Sequence, residues 1–215
     1  MDTSDCRVNL QEHWDKAYEK NPTEKLGWFE EVPTLSLEFI ARCKLKENAK
    51  IFIAGAGSST LMDALLDLNY TQLIANDISR EALELLEKRL SDSQKAHLTC
   101  IVDDLTKPTI LKDIKGIELW YDRAVVHFFL KKEEQQAYFN LIQSNVKIGG
   151  YVLLAAFALD GAEKCCGLEV FRYTTQMFQD RLGDHFKLLK DVNHTFINPF
   201  GDSRAYVYTL FQRKE

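Results

Sequence analysis

The sequence contains no long hydrophobic run and no concentrated charge. No apolar stretch approaches the roughly 20 residues that a membrane helix needs, so we expect no membrane association. The 27 basic and 32 acidic residues are interspersed and leave a formal charge of −5. A nucleic-acid surface would show clustered lysine and arginine, so this composition indicates no nucleic-acid partner. Low-complexity linkers and repeats are also missing, which predicts a single domain over residues 1–215.

The cysteines lack the spacing of a metal site. The sequence has no C-x-x-C and no H-x-x-x-H pattern, and its cysteines are Cys6, Cys43, Cys100, Cys165 and Cys166. This odd count and the missing signal peptide predict a reducing, cytoplasmic location. The adjacent pair Cys165-Cys166 would form only a strained bridge and has no further ligand at metal spacing, so we expect no bound metal.

Short apolar runs alternate with helical patterns from residue 46 to the end. "KIFIAGAG", "QLIANDIS" and "GGYVLLAAFAL" are typical of buried strands, and amphipathic stretches such as "REALELLEKRL" separate them. This alternation predicts an α/β fold, a mostly parallel sheet with helices on both faces. The runs "FKLLKDVNHTF" and "SRAYVYTLFQRK" flank a turn at "NPFGD" and predict a hairpin, so the last strand should be antiparallel.

The first 45 residues read as helical and amphipathic, with breaks at Asn21-Pro22 and near Pro33. In "SLEFIARCKL" the predicted apolar face contains Leu37, Ile40, Ala41 and Leu45. We therefore divide the domain into an N-terminal helical segment, 1–45, and a Rossmann-like core, 46–215.

The chemistry is expected at the carboxyl ends of the strands, where open parallel sheets bind ligands. Gly55 and Gly57 allow a tight turn and a close ligand approach, and the following helix start, with Ser59, offers N–H and hydroxyl donors to an anion. Asp77 ends the next strand, 22 residues beyond Gly55, where it can accept hydrogen bonds from ribose hydroxyls. This order of elements predicts a nucleoside-type cofactor.

Thr60 helps to distinguish between the candidate cofactors. It occupies the position three after Gly57 where a dinucleotide site has a third glycine, which disfavours a pyrophosphate. A small carboxylate would accept the hydroxyls of this loop, and the acids of "VDDLT", Asp103 and Asp104, suit an adenine amino group. An amino-acid end, a ribose and an adenine in that order describe S-adenosylmethionine.

On these motifs the chain resembles class I S-adenosylmethionine-dependent methyltransferases over nearly its whole length. "WYDRAVVHFFLKKEEQQAYF" is similar to a stretch of thiopurine-type enzymes and of uncharacterised bacterial enzymes, which also share "FALDG" and "GLEVFRYT". The resemblance implies a seven-stranded sheet with an antiparallel last strand. It places Gly55 and Gly57 at the methionine end, Asp77 at the ribose, and Asp104 or Asp103 at the adenine.

The chain departs from the family pattern at two positions. Ile53 replaces the acid usually found two residues before the first glycine, and Tyr121 replaces the histidine expected in the bacterial relatives. Tyr121 nevertheless ends the fourth strand and is predicted to contact the cofactor.

Four aromatic residues in the N-terminal segment are candidates for covering the pocket: Trp14, Tyr18, Trp28 and Phe29. For Trp14 and Tyr18 the pattern favours plain packing of a helix on the sheet. Trp28 and Phe29 follow Gly27 in a predicted loop, which favours a lid. Aromatic faces near the sulfonium would stabilise its charge.

Asp122 and Arg123 follow directly at the end of the fourth strand and are the candidate catalytic residues. Asp122 would orient or deprotonate the acceptor, and Arg123 would bind an anionic one; alternatively the two form an ion pair that supports the loop. His127 lies on an apolar face and is interpreted as a packed core histidine.

These patterns favour methyl transfer to a small molecule, such as a thiol or another polarisable nucleophile. A protein-lysine methyltransferase is the alternative, and it needs a base because lysine must lose a proton before attack. A nicotinamide-dependent oxidoreductase is disfavoured by Thr60 and by the terminal hairpin, and a cofactor-binding module without catalysis also remains open. The sequence does not determine the oligomeric state.

Overall fold

The computed structural model describes residues 9–214, and the prediction for Cys6 lies outside them. Its α-helices are α1 (Leu10–Lys20), α2 (Thr34–Arg42), α3 (Leu61–Asp67), α4 (Arg80–Arg89), α5 (Asp92–Lys95), α6 (Lys132–Asn145) and α7 (Thr175–Leu182). The strands are β1 (Lys50–Ala54), β2 (Gln72–Asp77), β3 (Leu98–Val102), β4 (Ile117–Arg123), β5 (Val146–Phe157), β6 (Lys164–Cys165), β7 (Leu168–Glu169), β8 (Phe186–Ile197) and β9 (Ser203–Arg213).

The main sheet has seven strands in the order β3-β2-β1-β4-β5-β9-β8. The first five strands pair in parallel, and β9 pairs antiparallel with both β5 and β8. The predicted α/β class, the Rossmann-like sheet and its antiparallel last strand are therefore confirmed. The strand order reverses between β1 and β4, and this switch point is where such sheets bind ligands.

Both faces of the sheet are buried, because successive side chains of a strand point to opposite faces. Ile51 and Ile53 of β1 belong to one core cluster with helices α2, α3 and α4, whereas Phe52 and Ala54 belong to a second cluster with α6 and α7. The apolar runs of the central strands are continuous for this reason. Among residues 9–214, no helix is long and apolar enough to cross a membrane.

The N-terminal segment breaks where the sequence predicted. Helix α1 ends at Lys20, just before Asn21-Pro22, and α2 begins directly after Pro33. The predicted apolar face of α2 is partly wrong: Ala41 is exposed and Leu45 lies beyond the helix end. The fully buried face instead carries Ser36, Phe39 and Ile40.

Candidate active site

A cleft opens at the carboxyl ends of the central strands and brings together most of the predicted site. Of the predicted residues, its walls contain Trp14, Tyr18, Trp28, Gly55, Asp77, Asp103, Asp104 and Arg123. These residues come from α1, the segment before α2, and the ends of β1, β2, β3 and β4. One continuous cleft therefore joins the predicted cofactor residues to the predicted lid.

The loop after β1 requires glycine at both positions. Gly55 and Gly57 have φ values of +53° and +52°, which L side chains rarely adopt. A Cβ atom on Gly55 would lie 2.2 Å from a methyl carbon of Val125, and one on Gly57 would lie 2.2 Å from the Tyr18 hydroxyl. The glycines therefore permit both the turn and the close approach of the neighbouring chain.

Asp77 connects the glycine loop to the start of α4. One carboxylate oxygen accepts the N–H of Gly57 at 2.8 Å, and the other accepts the N–H of Ser79 at 2.9 Å. Ser79 caps α4 by accepting the N–H of Ala82. Burial raises the pKa of Asp77 to about 6, although the two N–H donors oppose the rise. Each oxygen has a further lone pair, so the carboxylate can also accept ribose hydroxyls.

The two adjacent acids after β3 have different surroundings. Asp103 accepts the backbone N–H groups of Thr109, Ile110 and Leu111, and so closes the loop that follows. Partial burial alone would raise its pKa, but these hydrogen bonds hold the pKa below its ordinary value. Among residues 9–214, the Asp104 carboxylate accepts from Thr106 alone, with both bonds on Oδ1. Of the two acids, Asp104 has more capacity for a ligand donor.

Apolar side chains that the sequence did not single out form the walls between these acids. Ile78, Leu105, Val125 and Phe128 line the cleft. They lie in loops after β2, β3 and β4, where strand and helix periodicity gives no signal. Flat apolar walls with carboxylates at two points fit an adenosine, whose base stacks and whose polar edges donate hydrogen bonds.

The aromatic residues of α1 line the cleft beside the glycine loop. The Trp14 ring contacts those of Trp28 and Phe128 edge-on, and the Tyr18 ring contacts that of Trp28. Helix α1 is tied to the core by Asp15, which accepts the Ser79 hydroxyl at 2.6 Å. The aromatic segment thus lies beside the predicted methionine end of the cleft.

Three predicted residues lie in a smaller adjoining pocket. Phe29, Ser59 and Tyr121 line it, and it shares Gly55, Trp28 and Arg123 with the main cleft. The Tyr121 hydroxyl is hydrogen-bonded to that of Ser36 at 2.9 Å. The Ser59 hydroxyl accepts the N–H of Leu61 at the start of α3.

Asp122 requires a correction. Its side chain is fully buried on the other face of the sheet, accepting the Tyr138 hydroxyl and the N–H groups of Val125 and Val126. Burial raises its pKa to about 6. The carboxylate supports the loop after β4 and does not line the cleft. The two-residue alternation of strands was the signal available, since it places Asp122 opposite Tyr121 and Arg123.

Arg123 reaches the cleft and pairs with a residue that the sequence did not suggest. Its Nε lies 3.1 Å from Glu30, not beside Asp122, and Nη1 donates to the Trp28 carbonyl at 3.0 Å. The guanidinium carbon lies 4.8 Å and 5.1 Å from the ring centres of Phe196 and Tyr206. The side chain is only 7% exposed, yet within the described chain Nη2 has no hydrogen-bond partner.

His127 is buried, as predicted, in a short 3-10 helix between the rings of Phe128 and Phe157. Within residues 9–214, neither ring nitrogen has a hydrogen-bond partner. Cys165 lies near His127 and lines the cleft on the β5 side. Sequence spacing gave no sign of this, because 38 positions separate the two residues.

No protein-family model matches the chain. It is 21% identical to EEF1A lysine methyltransferase 2 of Danio rerio over 168 residues, which are 72% of this chain and 71% of that protein. It is 23% identical to eEF1A lysine and N-terminal methyltransferase of Mus musculus over 96 residues, 45% of this chain and 13% of that longer protein.

Solved structures share the whole fold at low sequence identity. A SAM-dependent methyltransferase from Anabaena variabilis superposes with a TM-score of 0.77 at 14% identity, covering 97% of this chain and 96% of that one. The Burkholderia thailandensis 1,6-didemethyltoxoflavin-N1-methyltransferase, solved with 1,6-didemethyltoxoflavin and S-adenosylhomocysteine, has a TM-score of 0.64 at 14% identity, covering 85% and 78%.

The fold is that of class I S-adenosylmethionine-dependent methyltransferases, and both sequence relatives are methyltransferases. We therefore assign the chain to this enzyme class, with S-adenosylmethionine as its cofactor. The composition of the cleft fits that cofactor: its lining includes Gly55, Asp77 and Asp104 together with apolar side chains.

Proposed function

We propose that the protein transfers the methyl group of S-adenosylmethionine to a small acceptor whose nucleophile is anionic or polarisable, such as a thiol. The observation that carries this proposal is the buried guanidinium of Arg123 on the wall of the cleft, with Nη2 unpartnered among the described residues. A buried donor without a partner is costly, and an anionic acceptor would satisfy it.

Among the candidate acceptors, a thiol is the one whose reactivity this arrangement increases most. A nearby arginine lowers the pKa of a thiol, so a larger fraction would be the nucleophilic thiolate. Burial raises the pKa of Glu30, although Arg123 opposes the rise. Glu30 can therefore take up a proton when a second anion approaches the guanidinium. The proposal requires no protein base, which agrees with the position of Asp122 behind the sheet.

The cofactor would occupy the floor of the cleft, with Gly55 and Gly57 at its methionine end, Asp77 at the ribose and Asp104 at the adenine. Residues 1–45 would act as its lid, with Trp14, Tyr18, Trp28 and Phe29 excluding water from the reacting atoms. Ser59 and Tyr121 would shape the adjoining pocket. The free thiols among residues 9–214, Cys43, Cys100, Cys165 and Cys166, suit the predicted cytoplasmic location.

Protein-lysine methylation is the second candidate, because the two sequence relatives are named for it. Two features count against it here. A lysine ammonium would approach the like charge of Arg123, and Asp122 cannot reach the cleft to take its proton. The similarity of 21% to 23% identity is compatible with a different acceptor.

Labelled S-adenosylmethionine decides between the two. The protein is incubated with a panel of small thiols, selenols, amines and carboxylates, and separately with whole-cell lysate. We expect label in the small-molecule fraction, with thiols the best acceptors. Label confined to a discrete protein band would contradict the proposal and support lysine methylation.

A pair of variants tests the role of Arg123. Glu30→Gln leaves the guanidinium in place, and we expect it to retain methyl transfer. The double variant Arg123→Gln/Glu30→Gln removes both charges of the buried pair together, so neither is left alone, and should lose transfer while keeping cofactor affinity. Equal activity in both variants would show that Arg123 does not bind the acceptor.

A further inference from the structure

The loop that leaves β5 carries two adjacent thiols that the proposed reaction does not use. Strands β6 and β7 form a small hairpin with the pairs Lys164–Glu169 and Cys165–Leu168, so Cys166 and Gly167 are its two turn residues. Both turn residues have positive φ, +52° at Cys166 and +80° at Gly167, as a tight two-residue turn requires. This turn directs both sulfurs toward one another.

The two sulfur atoms are 3.8 Å apart and are not bonded. Adjacent residues have Cα atoms about 3.8 Å apart, closer than the 4.4–6.8 Å typical of disulfides, so a direct bridge would be strained. A single atom bonded to both sulfurs avoids this strain, because the two sulfurs need not come within bonding distance of each other.

Polar and charged side chains lie beside the pair. The two sulfurs are within weak hydrogen-bond distance of one another, and His127 and Arg204 lie near Cys165. His127 is fully buried beside it, and in the described chain both of its ring nitrogens lack partners. A ligand held at the sulfurs therefore has a further polar atom within the same region of the cleft.

We propose that Cys165 and Cys166 form a dithiol site that binds a trivalent metalloid centre at the β5 end of the cleft. Cys165 lines the cleft with Arg123 and Trp28, and Cys166 is exposed at its rim. A trivalent centre that carries one substituent needs only two more ligands. Residues 9–214 contain no group of three or more histidine, cysteine or acidic side chains arranged to hold a metal ion, which disfavours a cation with four ligands.

The binding step is balanced without an oxidant. With phenylarsine oxide as the probe, two S–H bonds break and two As–S bonds form. The oxygen leaves as water with both protons, and the arsenic stays trivalent. The arsenic keeps its third substituent, and the Cys165 side of the site lines the cleft. Binding of the arsenic does not depend on methyl transfer; only the significance of a dithiol beside this cleft rests on the proposed function.

The test is intact-mass measurement of the full chain after incubation with phenylarsine oxide and removal of excess reagent. We expect one phenylarsenic group per chain, retained against a monothiol and released by a dithiol, because only two-point binding has that signature. Cys165→Ser and Cys166→Ser should each lose the adduct. The matched controls Cys43→Ser, Cys100→Ser and Cys6→Ser should keep it.

Three outcomes would overturn the site. The first is that the adduct persists in Cys165→Ser or Cys166→Ser. The second is that a monothiol displaces the adduct. The third is that Zn²⁺ alone binds stoichiometrically to the pair while phenylarsine oxide does not. Tryptophan fluorescence tests whether the arsenic binds at the cleft, because Trp14 and Trp28 line it. Phenylarsine oxide should change the emission of the wild type and not that of Cys166→Ser. These readings require no methyl transfer, so failure of either proposal is recognised separately.

Discussion

The two ends of the cleft are built in different ways. The β2–β3 end consists of acids that directly follow strands, Asp77, Asp103 and Asp104, and their oxygens accept N–H groups a few residues away or from the glycine loop. The β4–β5 end is assembled from Arg123, from Trp28 and Glu30, and from Cys165, which come from three separate parts of the chain. The proposed cofactor end is built from local motifs, whereas the proposed acceptor end depends on long-range packing.

The largest expected effect is at the β4–β5 end. Arg123→Met should lower the free energy of unfolding by about 3–5 kcal/mol, because it leaves Glu30 buried without its partner. Denaturant unfolding measures this loss. Adding Glu30→Gln removes the unpaired carboxylate and should restore most of the stability. If Arg123→Met alone were as stable as the wild type, the Arg123–Glu30 ion pair would contribute nothing to the free energy of unfolding.

At the other end, Asp77→Ala should weaken S-adenosylmethionine binding by about 1.5–3 kcal/mol, because the charged acceptor for the ribose is lost. Isothermal calorimetry with the cofactor and with S-adenosylhomocysteine gives the affinities. Binding unchanged in this variant would remove Asp77 from the cofactor site.

The neighbouring acids provide a matched pair within one end of the cleft. Asp103→Ala should lower the free energy of unfolding by about 1–3 kcal/mol, because it leaves the N–H groups of Thr109, Ile110 and Leu111 without their acceptor. Asp104→Ala should mainly weaken cofactor binding, by about 0.5–1.5 kcal/mol. Thermal melting and calorimetry on both variants test the contrast, and the reverse pattern would exchange the two assignments.

The pH dependence of cofactor binding should also report on Asp77. Its folded pKa of about 6 is raised by burial, so the carboxylate is ionised above that pH and protonated below it. Ribose hydroxyls donate to the ionised form, so affinity should be constant above pH 6 and fall up to about tenfold per unit below it. Asp77→Ala should lose this dependence; Asp122 has a similar pKa but lies outside the cleft. A wild type with flat affinity from pH 5 to 7 would contradict the assignment.

The same pKa shift has an opposite consequence for stability of the cofactor-free protein. A carboxyl group whose folded pKa is raised binds its proton more tightly in the folded state, so stability falls as pH rises from about 4 to 6 and is then constant. Asp77 and Asp122 both contribute in this direction. Stability and cofactor affinity should therefore change in opposite senses over this window.

The smallest effect is expected in the lid. Trp28→Ala should weaken cofactor binding by about 1 kcal/mol through lost contacts with Trp14 and Tyr18, and should increase proteolysis of residues 12–33. The melting temperature without cofactor should change little, in contrast to the core variant Trp120→Ala, which should cost about 3–5 kcal/mol. Comparable losses of stability in the two variants would place Trp28 in the core instead of the lid.

Much of the cofactor end was predictable because its residues follow strands directly. The alternation of apolar runs and amphipathic helices indicated the sheet, and the hairpin at "NPFGD" indicated the antiparallel last strand. Gly55 and Gly57 were identified from a turn that only glycine adopts readily, and their φ values agree.

The sequence by itself therefore determined the α/β class, the glycine loop and the acids after the strands, because these depend on side-chain periods of two and 3.6 residues and on local backbone conformation. Tertiary structure alone decided which acid closes a loop and which stays free, and which partner Arg123 has. It also placed Cys165 beside His127. These outcomes depend on which distant segment covers each strand end, and neither periodicity nor spacing along the chain carries that information.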